Sequence, residues 1–192
     1  MQMSCQLNSV RFPTQLGIIQ KKSQLADDMR ENTRMKNLMI GQKTFDIVAD
    51  PTQRRVGPAT EAQVPFINFA PLQNSLAKLQ ESVRAYSAAM NTLASTENYP
   101  SVEVQKSLDQ CLIRTERAMT FEQGLPRRPW FKHQIYAPGF YTGYGVKTLP
   151  GVREAIEQRN WSEAADEIVI VAKTLDQVSG EIDRATEKLR GR

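Results

Sequence analysis

The stretch LQNSLAKLQESVRAYSAAMNTL (residues 72–93) decides the fold class. Its apolar positions are Leu72, Leu76, Leu79, Val83, Tyr86, Met90 and Leu93, stepping alternately by four and by three. At 3.6 residues per turn that spacing places them all on one helix face, whereas a strand would alternate every second residue. Asn68 stands where a helix cap belongs, and Pro71 is tolerated in a first turn because its missing N–H would have had no helical acceptor. Asn98-Tyr99-Pro100 ends the element and turns the chain.

Two further stretches repeat the pattern. From Ser101 the run Val104, Leu108, Cys111/Leu112, Thr115, Ala118/Met119 predicts a second helix, stopped by Gly124 with Pro126. The longest stripe is Ile168, Val171, Leu175, Val178, Ile182, Ala185, Leu189, with Asn160 as cap and Glu163 three residues on, the spacing of a capping box. Gly180 interrupts this helix at a cost of about 1 kcal/mol relative to alanine, which close approach of a neighbouring backbone would explain. Residues 23–41 read as a weaker helix on Leu25, Met29, Leu38 and Met39, with Gly41 as its stop. Phe45, Ile47 and Val48 then suggest a short extended piece before a Pro/Gly/Arg-containing loop.

The seven-residue period lasts too briefly for a free-standing coiled coil, so the expectation is all-α: an antiparallel four-helix bundle. Leu72, Leu76, Leu79, Val83, Ile168, Val171, Leu175, Val178 and Ile182 are assigned to its core or dimer-forming helix faces. No apolar run approaches the roughly 20 residues that span a bilayer, and the N-terminus lacks the basic and apolar segments of a secretory signal. No membrane is therefore expected as a partner, and the chain as read would stay in the cytoplasm.

The formal charge of +4 is confined to residues 1–60, which hold nine Lys/Arg against five Asp/Glu; residues 61–192 hold sixteen of each. Lys21-Lys22, Arg30, Arg34, Lys36, Lys43 and Arg54-Arg55 are spread out without interleaved aromatics, which argues against a nucleic-acid partner. Cys111 reads as a small buried apolar residue, and a bond to Cys5 is the less favoured reading.

Catalytic groups are sparse. A catalytic zinc takes three protein ligands, commonly two of them histidines, and His133 is the only histidine. There is no nucleophile elbow and no Gly-Lys-Ser/Thr phosphate loop. Asp27-Asp28 and Asp166-Glu167 are placed where helix faces meet water, the latter pair favoured by the dipole of its helix N-terminus. No catalytic residue, metal or cofactor is assigned, and His133 is read as bonded to backbone within its own loop.

That loop does not fit a simple bundle. GLPRRPWFKHQIYAPGFYTGYGVKTLPG (residues 124–151) has four prolines and five glycines, with Trp130, Phe131, His133, Tyr136, Phe140, Tyr141 and Tyr144 between them. A connection this long inside a compact domain is usually functional or ordered by its own side chains, and aromatic area could supply that order.

The same loop carries a family resemblance. Leu125-Pro126-Arg127-Arg128-Pro129-Trp130-Phe131-Lys132-His133-Gln134-Ile135-Tyr136-Ala137-Pro138, then Tyr144 and Leu149-Pro150-Gly151 before a short helix, resembles the C-terminal helical domain of the glutamate carboxypeptidase II and transferrin receptor family. Within the motif, Arg128, Pro129, His133, Tyr136 and Pro138 carry the match, which extends weakly over residues 25–190. The resemblance implies a transferrin receptor-like dimerisation domain over residues 25–192, after a leader of unclear structure at 1–24. It also implies a homodimer, with a zinc peptidase domain, encoded elsewhere, as a further partner.

In peptidase members of that family a Lys-Tyr pair on this loop reaches the substrate's terminal glutamate. Tyr144 stands at the tyrosine position, but Gly143 stands where the lysine would be. The leading expectation is a non-catalytic homodimerisation module. The alternative is the C-terminal part or subunit of a zinc-dependent carboxypeptidase or aminopeptidase, with the loop around Tyr144 lining its substrate pocket.

Overall fold

A computed structural model describes residues 12–46, 52, 57–95 and 101–191, with side chains described from residue 17 onward except at Asp46. The chain is mostly helical: α1 (Phe12–Gly41), α2 (Ala70–Ser95), α3 (Val102–Ala118), α4 (Pro150–Glu157) and α5 (Trp161–Arg190). Two three-residue strands, β1 (Tyr136–Pro138) and β2 (Val146–Thr148), interrupt the helices between α3 and α4.

The three striped helices form where their periodicity places them. Ser101 caps α3, its side chain accepting from the Val104 N–H at 3.3 Å. Asn160 caps α5 by accepting from the Glu163 N–H at 3.3 Å, while its own amide donates to the Glu163 carboxylate. Asn68 accepts from the Ala70 N–H at 3.0 Å at the start of α2.

The all-α expectation holds, but the helices are organised around one member. α5 is the central element, and α2, α3 and α4 each lie against it. Leu72, Leu76, Leu79, Ile168, Val171, Leu175, Val178 and Ile182 are buried in this core, with Val83 partly buried beside them. Leu72, Leu76, Ile168 and Val171 are at most 1% exposed. Fully burying such side chains contributes roughly 1.5–3 kcal/mol each, and their surface is taken up within the chain. Cys111 is fully buried in the same cluster. α2, α3 and α5 meet at a small apolar cavity of about 10 Å³, lined by Val83, Tyr86, Leu112, Thr115, Ile182 and Ala185.

Several local expectations differ from what forms. The helix expected over 23–41 begins at Phe12, so residues 12–24 of the expected leader are helical. Its apolar periodicity is weak because Lys22 and Thr33 share the buried side with Ile19 and Ala26. Phe45 lies in a 3-10 turn (Thr44–Asp46) and not in an extended piece; Ile47 and Val48 fall outside the described residues, as does Cys5. Gly180 has open space where a Cβ would stand, so close backbone approach does not account for it.

The largest revision concerns Glu167. It does not meet water: the turn of α5 that carries it packs on α4, leaving it 5% exposed with its carboxylate against Gly151. Three basic residues of α1, Arg30, Arg34 and Lys36, are occupied locally. Arg30 donates to the Val64 and Pro65 carbonyls, Arg34 pairs with Glu31, and Lys36 with Glu61. Asn37 exchanges two hydrogen bonds with the Glu61 backbone, at 2.8 and 2.9 Å, tying α1 to the extended segment 57–69. Among the described residues no helix is long and apolar enough to cross a membrane.

Candidate functional site

The loop after α3 is stitched back onto that helix by its own backbone. The Gln134 N–H donates to the Met119 carbonyl, Phe121 to Lys132, and Leu125 to Phe131, all at 2.9 Å. Gly124 turns this lobe in the left-handed region (φ 67°), where any Cβ would collide with the Pro129 backbone. Both constraints demand glycine.

Arg128 is the hub, 3% exposed. Its guanidinium donates to Glu154 on α4 at 2.6 Å and to the Pro138 carbonyl at the end of β1. The second oxygen of Glu154 accepts the Phe140 N–H at 2.8 Å. The Arg128 guanidinium also lies 5.5 Å from the ring centre of Phe131 and 5.7 Å from that of Phe140, within cation–π range. One ion pair thus joins the first lobe, the strand end, the aromatic pair and α4. Both partners are buried, so the pair holds only because fixed hydrogen bonds offset the loss of hydration.

Beyond that clamp the chain forms a hairpin. β1 and β2 pair antiparallel with Tyr136 opposite Thr148, Ala137 opposite Lys147 and Pro138 opposite Val146. Period-two alternation puts Tyr136 and Val146 on the outer face and Ala137 and Lys147 on the buried one. At the tip the Gly139 N–H donates to Gly145 and the Gly143 N–H to Gly139.

Tyr144 sits on this tip with its side chain wholly in solvent, and Gly143 beside it adopts φ 62° with open space around it. A lysine at 143 would have room but would need the left-handed conformation that side chains disfavour.

The motif residues therefore separate into distinct roles. Arg128 and Pro138 meet through the guanidinium–carbonyl bond. Pro129 supplies the backbone that fills the space beside Gly124. Nδ1 of His133 accepts from the Ile135 and Tyr136 N–H groups at 3.2 and 3.3 Å, and its ring lies 3.9 Å from that of Tyr136. Its Nε2 lies 3.8 Å from a Glu116 oxygen, too far for a hydrogen bond. Burial lowers the His133 pKa, opposed by Glu116, so the ring is neutral at pH 7 and serves the loop as an acceptor. Tyr144 stands apart from all of these.

Sequence reasoning missed Glu154, which anchors the loop from α4, and the bidentate pair between Arg127 and Glu163 at 2.7 and 2.8 Å. A partial signal for the first was available, since a charged side chain that becomes buried needs a partner of opposite charge. The chain position of that carboxylate could not be read from the motif.

What remains outside is apolar and aromatic. Trp130 (71% exposed), Tyr141 (74%), Val146 (70%) and Tyr136 join Tyr144 as large exposed side chains of the loop. Among the described residues no group of three or more His, Cys, Asp or Glu side chains is placed to hold a metal.

A helical core around one long helix, carrying a clamped aromatic loop between α3 and α4, defines the class: an all-α domain with a long ordered loop. The chain belongs to the transferrin receptor-like dimerisation domain family, whose model matches residues 67–183. It is similar to a probable glutamate carboxypeptidase (LAMP1) of Arabidopsis thaliana, 36% identical over 81 residues, covering 38% of this chain and 12% of that protein. A probable glutamate carboxypeptidase of Arthroderma benhamiae is 28% identical over 98 residues, covering 48% of this chain and 14% of that protein. An inactive zinc metalloprotease of Schizosaccharomyces pombe is 27% identical over 117 residues, covering 59% and 14%. The chain thus spans 12–14% of the length of these relatives. α1 lies outside the family match.

Proposed function

We propose that this domain is a non-catalytic homodimerisation module, and that its partner-facing surface is the aromatic loop. The carrying observation is a contrast of exposure. The apolar stripes of α2 and α5 are buried within one chain, while Trp130, Tyr136, Tyr141, Tyr144 and Val146 stand in solvent on a loop held in place from beneath. Exposed aromatics on a fixed backbone suit an interface, because little conformational entropy remains to be lost on association.

Sedimentation equilibrium on the chain is expected to give a dimer at micromolar concentration. Replacing Trp130 and Tyr144 together by alanine is expected to weaken it about tenfold or more, since an aromatic anchor commonly contributes above 1 kcal/mol. The same change should leave stability within about 0.5 kcal/mol, as both side chains are exposed. A strictly monomeric wild-type chain sinks the proposal.

The second reading has the chain as part or subunit of a zinc peptidase, with Tyr144 in the substrate pocket. The names of two relatives and the free position of Tyr144 favour it. The readings separate cleanly. Zinc-dependent peptide hydrolysis by this polypeptide alone overturns the non-catalytic assignment; a Tyr144→Ala dimer that is intact and fails only when a catalytic domain is supplied moves the function of the loop from association to substrate contact.

A further inference from the structure

The outer face of α5 carries a notch. Gly180 stands inside this 30-residue helix with nothing within 4 Å of the place a Cβ would take. Glycine there weakens the helix relative to alanine, and no other backbone of this chain approaches closely enough to require it. Around it lies an open depression of about 420 Å³, lined by Asp176, Gln177, Gly180, Glu181 and Arg184, all of α5. The absent side chain leaves room for another backbone.

The charges of this face are arranged about the notch. Lys173 lies seven residues before Gly180 and Glu187 seven after; Asp176 lies four before and Arg184 four after. At about 100° per residue, these positions all point within about 40° of the direction of Gly180. Each charge on one side thus has its opposite at the same distance on the other. Lys78 of α2 holds Asp176 loosely at 3.7 Å, and Glu181 takes Arg114 of α3 at 3.0 Å together with Arg184. Lys173 and Glu187, both exposed, belong to none of these pairs.

We propose that this face of α5 is a second self-association surface, on which another copy of the chain lays its own α5 antiparallel, the two helices crossing at Gly180. A two-fold axis at that crossing brings Lys173 level with the partner's Glu187 and Asp176 level with the partner's Arg184, and symmetry supplies the reciprocal pairs. A parallel pairing sets each charge against its own kind, so the pattern selects the antiparallel one. Glycine at the crossing lets the backbones approach, and a shallow angle of about 20° keeps the outer charges within reach. None of these residues belongs to the aromatic loop, so the α5 contact forms or fails independently of the loop contact. Exposed ion pairs contribute little each, which makes the contact weak, with a Kd on the order of 100 µM.

The test is sedimentation equilibrium of the full chain carrying Trp130→Ala and Tyr144→Ala, which removes the loop contact. A dimer is expected to persist at about 300 µM and to dissociate further as salt is raised. On that background Lys173→Glu and Glu187→Lys should each weaken it about fivefold or more, since each sets two like-charged pairs across the two-fold. An equimolar mixture of the two variants should recover the dimer, because opposite charges then face each other between unlike chains. Gly180→Gln should weaken association while leaving Tm unchanged or higher, as the position is open and gains helix propensity. A monomer at every concentration, a mixture no more associated than either variant alone, or a Gly180→Gln chain that dimerises as before overturns the proposal.

Discussion

The contact between α2 and α5 and the loop from Thr120 to Leu149 are both ordered, by opposite means. The helix pair is held by many apolar side chains, each making a small, non-directional contribution spread over several turns. The loop has no such stripe. It is held by backbone bonds at its base and above all by one buried arginine that touches Phe131, Pro138, Phe140 and Glu154. Distributed apolar packing degrades gradually when one member is lost, whereas a hub either holds all its spokes or releases them together. The helices can therefore serve as a frame while the loop takes one defined shape on it.

The largest expected effect breaks the hub. Arg128→Ala leaves Glu154 buried without its cation, and breaking such a pair from one side costs about 3–5 kcal/mol. Urea unfolding should show that loss, and amide exchange should show the tip around Phe140 losing protection along with it. Leu72→Ala, fully buried in the helix contact, is expected to cost about 2–5 kcal/mol through lost burial and a residual cavity. Exchange at the tip should stay unchanged relative to the rest of the molecule. Equal loosening of the tip by both substitutions would erase the distinction between frame and hub.

A smaller effect sharpens the comparison at the joint between the regions, where Glu167 meets α4. Burial, with the Glu163 and Asp166 charges adding to it and Arg127 opposing it, raises its pKa to about 7. Oε2 has no hydrogen-bond partner among the described residues. The proton is held more tightly in the folded state than in the unfolded one. Its stabilising contribution is thus complete below the ordinary glutamate value of 4.5 and lost as pH rises through about 7. Stability is expected to fall by on the order of 2–3 kcal/mol over that window. Glu167→Gln, neutral throughout, should flatten this part of the profile in unfolding curves taken at successive pH values.

These contrasts also explain what the sequence made legible. The α2, α3 and α5 stripes, with the Ser101 and Asn160 caps, follow from periodicity and local donor–acceptor spacing, which one segment contains by itself. The loop motif marked Arg128, Tyr136 and Pro138 as belonging together, but Glu154 lies 26 residues away from Arg128 on another element. Charge pairing across elements has no period to read. Glu167 was misplaced for a related reason: a glutamate in an early helix turn looks solvated until α4 is known to cover it. α1 was read short because Lys22 and Thr33 sit on its buried side and blur the apolar pattern.

The two bonds between Asn37 and the Glu61 backbone have a mechanical consequence. The side-chain amide takes the place that a neighbouring strand would take, so α1 is tethered to segment 57–69 by direction as well as by proximity. Arg159 adds to the tether by reaching both Glu61 and Thr33 from the turn after α4. This polar tie stands beside the apolar contacts by which Ile19 and Ala26 of α1 join the shared core. Tension on the N-terminal helix would pass to the domain behind it through these directed bonds together with that packing, so the Asn37–Glu61 junction is one coupling through which a pull on α1 is felt.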